Sequence, residues 1–230
     1  MDRIHNIPPM AMSLIQPTLY PTASRLAAAS LLISPPLFWI IENYVTRGYK
    51  PSYSYIGNFT SDLAVPYPFQ ERTHNRPAHS TRAGVMKRNF QIKSVLFLIG
   101  HWALLYATGR RDGITFARAV VAGLYSAGII LVAAVPGGSK EHENGTVVWH
   151  SLGAMTAFSC GNISAILAGV ADGNATYART AKIMGSLGLV NMVMFVIFGK
   201  TRFRGFWQRS CLFTIQAWEL VTGWAVLAQL

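Results

Sequence analysis

The chain has 230 residues, of which 51% are apolar and 13% charged, about half the charge of an average soluble domain. Its 20 Lys and Arg against 9 Asp and Glu give a net charge of +11, which in a soluble protein would point first to nucleic acid. Here the basic residues flank long apolar stretches, and no basic face is interleaved with exposed aromatics. Nucleic-acid binding is therefore set aside in favour of anionic headgroups, toward which each basic residue near the surface contributes roughly 1 kcal/mol.

Residues 1–24 contain Pro8, Pro9, Pro17 and Pro21 and read as an irregular tail. They are long for the basic region of a cleaved leader, and no small-x-small site follows the first apolar stretch. That stretch is expected to be a retained helix. A spanning helix needs about 20 mainly apolar residues, and six segments qualify: 26–44, 90–108, 114–135, 147–170, 181–198 and 211–230. The expected fold is all-α, a polytopic transmembrane helical bundle of about six helices over residues 25–230, with a long polar loop at 46–88. Pro35 and Pro36 should kink the first helix. Gly123 and Ala127 on the third helix, and Gly161, Ala165 and Gly169 on the fourth, mark close helix packing. No internal repeat points to an inverted-repeat transporter.

With six spans both termini share one side. Seven Lys and Arg fall on that side against twelve on the other, seven of the twelve in or beside the long loop, so the loop is expected to be cytoplasmic. The sequons at Asn58 and Asn144 would need the reverse orientation, and the one at Asn162 lies inside a helix. Cys160 and Cys211 sit in apolar segments and form no disulfide framework.

The alternation of spans gathers polar residues at one membrane face: Glu42 and Asn43, the run Asn58 to Leu63, Asn89, the region Pro136 to His150, and Arg209. His101 and Glu219 lie deeper, where an ionisable group costs about 2.5–3.5 kcal/mol on insertion scales and is a functional candidate by default. Lys93, near a helix end, is expected to snorkel. The candidate catalytic residues are Asp62, His150 and Glu219. The candidate binding residues are Glu42, Asn43, Asn89, Trp149, Trp218 and Arg209. Each has a structural alternative: Asp62 could cap a short helix, His150 could be a hydrogen-bonded structural histidine, and Glu219 could pair with Arg209 or His101. Asn162 and Asn191 read as interhelical hydrogen bonders, Glu141 and His142 as loop-exposed, and Gly137-Gly138 as a helix stop. His142 and His150 are not at metal-helix spacing. No metal and no cofactor is expected.

The order of landmarks resembles a known family. Ser61-Asp62-Leu63-Ala64 follows a Tyr- and Pro-rich stretch, and Met86-Lys87-Arg88-Asn89-Phe90 opens the second helix. Ala134-Val135-Pro136-Gly137-Gly138 closes the third, with His150 soon after. Gly205-Phe206-Trp207-Gln208-Arg209 and then Trp218 end the chain. This is similar to the integral membrane proteins of the domain of unknown function 998 family, over roughly residues 25 to 230. The chain departs from the pattern where Lys87 and Arg88 separate Met86 from Asn89, and in a longer insert at 66–82. The resemblance implies a six-helix fold and groups Asp62, Asn89 and His150; it brings no activity.

Three functions are open. A facing carboxylate and histidine beside an apolar pocket can supply general acid and base, which fits an embedded enzyme isomerising, cyclising or hydrolysing a lipophilic substrate, for instance an isoprenoid-like one, among membrane lipids. A lipid or small-molecule carrier fits the kinked and Gly-rich helices, although its polar path should reach both faces. A non-catalytic membrane scaffold is the third reading. The oligomeric state is not legible.

Overall fold

The computed structural model describes residues 20–71 and 76–230. The expected tail lies outside the described residues as far as residue 19; Tyr20 caps the first helix and residues 21–24 belong to it. Among the described residues, six long helices are apolar enough to cross a membrane: α1 (Pro21–Thr46), α2 (Ala83–Thr108), α3 (Gly113–Ala134), α5 (Val147–Ala171), α6 (Ala175–Phe198) and α7 (Arg204–Leu227). A short α4 (Ser139–Glu143) lies between α3 and α5. The long helices have 22 to 26 residues, about 33–39 Å at 1.5 Å per residue, enough to cross a hydrocarbon core of about 30 Å. The chain is a multi-pass integral membrane protein.

Four helices start five to seven residues before the apolar runs that signal them: α1 at Pro21, α6 at Ala175, and two that open on basic segments. α2 begins at Ala83, not at residue 90, and α7 at Arg204, not at residue 211. Their first turns carry Lys87, Arg88, Arg204 and Arg209, which mask the helix in a hydropathy reading. The αL residue Gly109, with φ of 65°, ends α2. Asp112 then caps α3 by accepting from the Thr115 amide at 2.9 Å, and Asn174 caps α6 through the Tyr177 amide at 3.0 Å.

The six spans close into a ring. Each packs on the next in chain order and α7 returns to α1, while α7 also touches α5 across the bundle. The outside is apolar: Ile183, Leu187, Val190, Val193 and Ile197 of α6 are all exposed. The inside is mixed, with Ser30, Ser34, Lys93, Ser94, Ser126 and Glu219 buried beside Phe97, Tyr125 and Trp218. This inversion is what a lipid solvent selects, because polar groups can be satisfied only within the bundle. Ser94 and Ser126 show how: each hydroxyl donates to the other's carbonyl at 3.0 Å, joining α2 to α3.

The close approach of α3 and α5 is made by residues other than those expected on α3. Ala127 is exposed and a Cβ at Gly123 would meet only Trp102, at 3.9 Å. The contact is Gly128 against Gly153 and Ala157, where an added Cβ would come within 2.6 Å of the Gly153 carbonyl oxygen. Gly161 and Gly169 do lie at tight contacts, against Ile215 and Tyr125 and against α6.

The long polar loop is folded. Three short strands, β1 (Tyr49–Lys50), β2 (Phe69–Glu71) and β3 (Arg76–Ser80), form an antiparallel sheet in the order β1-β3-β2, pairing Tyr49 with Ser80 and Phe69 with Ala78. A 3₁₀ turn, Thr60–Ala64, is buried between this sheet and the helix ends. The Ser80 hydroxyl donates to the Leu63 carbonyl at 2.7 Å and ties the sheet to the turn.

Candidate functional site

The polar residues of the loop face divide into a clamp and a cleft. The clamp is built by the first turns of α7. Arg209 donates through Nη1 to the carbonyls of Tyr55 and Asn58, both at 2.8 Å, and through Nη2 to Glu42 of α1 at 3.0 Å and to the Tyr53 hydroxyl. Glu42 also accepts from the Thr60 hydroxyl at 3.2 Å, and Gln208 accepts from the Thr60 amide at 2.8 Å. Arg204 donates to the Gly57 carbonyl at 3.2 Å, and the Phe206 amide to Ile56 at 2.9 Å. The fork of a guanidinium suits this work, since its N–H groups reach several acceptors in one plane. Beneath the sheet, buried Asn58 donates to Glu71, which Arg76 pairs at 2.6 Å from the outer edge. With its side chain fully enclosed, the Asn58 sequon is sterically closed.

The cleft, about 410 Å³, lies between the 3₁₀ turn, β2, α4 and the start of α7. Phe59, Phe69, Asp62, Glu71, His142, Glu143 and Arg204 are among its walls. Asp62 is buried within the wall. Its Oδ2 accepts from the Phe59 amide at 2.9 Å, so it does cap its own turn, and it also lies 3.9 Å from the Arg204 guanidinium. Burial is the largest influence on this carboxyl and raises its pKa, against the opposing pull of Arg204 and the Phe59 amide. Burial likewise raises the hydroxyls of Tyr49 and Tyr53 beneath the cleft, which stay protonated. On the rim, Tyr67 bonds Glu141 and lies under Lys140, fastening the loop to α4.

His150 belongs to a neighbouring space. Its Nδ1 lies 2.7 Å from the Val135 carbonyl, which makes Nδ1 the donor and leaves Nε2 as an acceptor. The ring packs under Gly137, where a Cβ would come 3.1 Å from Nε2. It faces a small enclosed cavity of about 20 Å³ with Thr60, Ser61 and Gln208. Asp62 of the 3₁₀ turn and His150 of α5 thus line different spaces. Gly137 does more than stop a helix: it lines the cleft and seats the His150 ring.

Glu219 is far from both spaces. It pairs with Lys93 of α2, and Ser34 of α1 donates to it at 3.2 Å while accepting from Lys93 at 3.0 Å. Neither Arg209 nor His101 is its partner. Lys93 does not snorkel, because with α2 starting at Ala83 it sits ten residues into the helix and is buried. Asn89 donates to the Phe38 carbonyl at 3.1 Å, holding α2 to α1. Asn43 is exposed at the end of α1 and bonds Tyr55 and Arg47. Trp149 is exposed and lines neither space; Trp218 is buried and stacks on His101. Asn162 does bridge helices, donating to Cys211 and accepting from Thr214. His142 is exposed, as expected of a loop residue, but it faces the cleft.

Arg204, Glu71 and Gln208 are not among the site residues expected from the sequence, and Lys93 is expected only as a snorkelling side chain. The spacing of Arg204, Gln208 and Arg209 puts three polar side chains on adjoining faces of one helix, a signal visible only once α7 is extended to its true start. Among the described residues, no three of His, Cys, Asp and Glu are grouped to hold a metal ion.

A family model described as a protein of unknown function, DUF998, matches residues 32–225. The chain belongs to the DUF998 family. The match begins inside α1 and ends inside α7, so the cleft, the clamp and the Lys93–Glu219 pair all lie within the family region. No curated protein and no solved structure matches the chain.

Proposed function

We propose that this DUF998 member is a membrane-embedded enzyme whose chemistry takes place in the loop-face cleft, with Asp62 as the proton-transferring group. The observation that carries the reading is the Asp62 carboxyl itself, buried in the wall of a cleft of about 410 Å³ with its pKa raised by that burial. The volume falls within the range of small-molecule sites, roughly 300–1,000 Å³. A carboxyl whose pKa moves up toward the working pH can donate a proton and take it back.

The walls divide the work. Phe59 and Phe69 offer apolar surface to a lipophilic body, Arg204 offers charge to a polar or anionic head, and His142 and Glu143 on α4 offer a second acid–base group. The substrate class is an amphiphile presented at the membrane surface. The reaction class is isomerisation, cyclisation or hydrolysis. His150 acts here as a positioning residue, fixing the Val135–Gly138 segment that forms part of the cleft.

The test is incubation of purified protein in lipid nanodiscs with the total lipid extract of its native cell, followed by mass spectrometry. Wild type should consume at least one species that Asp62→Asn, folded with an unfolding midpoint no lower than wild type, leaves intact. If wild type changes no lipid, or Asp62→Asn matches its turnover, the reading fails.

One observation favours a second reading, a carrier. Polar groups do not end at the loop face: Lys93–Glu219 lies deep in the bundle, and His101 and Arg118 are buried toward the opposite face. Protein-dependent flux of an unaltered amphiphile across liposomes would select this reading over the enzyme.

A further inference from the structure

In the half of the bundle away from the loop, three buried side chains meet in one small cavity of about 10 Å³: His101 of α2, Arg118 of α3 and Ser164 of α5, with Trp218 and Leu105 beside them. They lie five to seven residues from their helix ends, roughly 8–10 Å below the surface at 1.5 Å per residue. Each presents a buried polar atom with no hydrogen-bond partner: His101 Nε2, Arg118 Nη1 and Ser164 Oγ. Buried polar groups in native structures are paired almost without exception. Three orphans around one void therefore point to a guest that bonds all three.

Charge decides what the guest is. The void has room for one guest of about water size. A water would satisfy hydrogen bonds but leave the Arg118 charge uncompensated. Arg118 is 5% exposed, and no carboxylate among the described residues lies within ion-pair distance of it; Asp172 and Asp112 act on it from beyond that distance, as does the Tyr177 hydroxyl. A buried unpaired guanidinium is costly, and an anion removes that cost. Arg118 only donates, while His101 and Ser164 can each turn a donor inward. A route exists as well. A groove of about 340 Å³ opens at this face between α2 and α3, with Arg110, its ion-pair partner Asp112, and Arg111 on its rim, a net positive charge, and Leu105 lines both the groove and the cavity. A basic rim concentrates anions at the mouth.

We propose that His101, Arg118 and Ser164 form a binding site for one small monovalent anion, of halide size, reached from the opposite face past Leu105. A halide is slightly larger than water, and the Leu105 side chain is the wall that yields to admit it. The site is independent of the chemistry assigned to the cleft.

The test uses the full-length protein in detergent, titrated with chloride or bromide against gluconate at constant ionic strength. Halide should raise the unfolding midpoint saturably. Ser164→Ala should weaken the apparent affinity several-fold and Arg118→Gln by at least about tenfold, the equivalent of 1.4 kcal/mol. Bromide should also quench the fluorescence component that disappears in Trp218→Phe. Should Arg118→Gln fail to fold, Ser164→Ala and the quenching measurement decide. Equal midpoints in halide and gluconate would leave the cavity to water alone and overturn the proposal. So would a halide response that Ser164→Ala leaves unchanged.

Discussion

Lys93 of α2 and Glu219 of α7 form an ion pair enclosed by the bundle, with Ser34 of α1 bonded to both. Three helices far apart in sequence are thereby held at one level of the membrane. Removing one partner strands the other charge where neither water nor a counter-ion reaches it. Lys93→Met or Glu219→Gln alone should lower stability by about 3–5 kcal/mol, whereas Lys93→Met with Glu219→Leu should recover most of the loss. Denaturant titration in mixed micelles checks this. Additive losses in the double variant would mean that the two residues do not act as a pair.

The Asp62 carboxyl should leave a mark on the pH dependence of stability. Burial holds it above its ordinary value near 4 in the folded protein. Between those two values the folded state binds the extra proton. The stability tied to the protonated form is therefore full below about pH 4 and is lost as pH rises through the folded value. Asn at this position copies the neutral form at every pH. The unfolding midpoint of Asp62→Asn should rise relative to wild type as pH increases from about 4 to 8, and parallel profiles would show that the carboxyl is not raised.

Arg209 should govern the order of the loop. It bonds two loop carbonyls and ties them to Glu42. Arg209→Ala should expose residues 47–59 to rapid limited proteolysis, and Arg209→Lys should not restore protection, since an ammonium cannot copy the fork. Wild-type protection in the Lys variant would reduce the clamp to simple charge.

The α3–α5 contact gives a paired test. Gly128→Leu should collapse yield and lower the unfolding midpoint, because the Gly153 backbone stands where the side chain must go. Gly123→Leu, with only Trp102 near at 3.9 Å, should behave as wild type. Both changes raise hydropathy equally, so a difference reports packing and not membrane insertion.

What the sequence shows depends on which solvent surrounds the residue. The six spans are legible because lipid selects long apolar runs regardless of context. So is the gathering of Glu42, Asp62, Asn89 and Arg209 at one face, which follows from counting spans. The partners are not legible. Lys93 looks peripheral because basic residues hide the first seven residues of α2, and the depth of Glu219 cannot be matched to it without knowing both helix starts. Asp62 and His150 look like partners because both precede or open helices at the same face, yet the width of one 3₁₀ turn puts them in separate spaces. Arg118 looks like a headgroup anchor near a helix end, yet it is buried beside His101 and Ser164, residues of two other helices.

The clamp has a consequence for how the protein is made. The loop leaves the ribosome directly after α1, while Arg204, Gln208 and Arg209, which fasten it, belong to α7. At about 5–20 residues per second, the interval between them is on the order of ten seconds. Through that interval the backbone carbonyls of Tyr55, Gly57 and Asn58 lack their donors and Glu42 lacks its cation. Completion of the loop face thus requires that α7 has been inserted, and a chain stopped short of α7 displays open carbonyls and an unpaired carboxylate at the membrane surface.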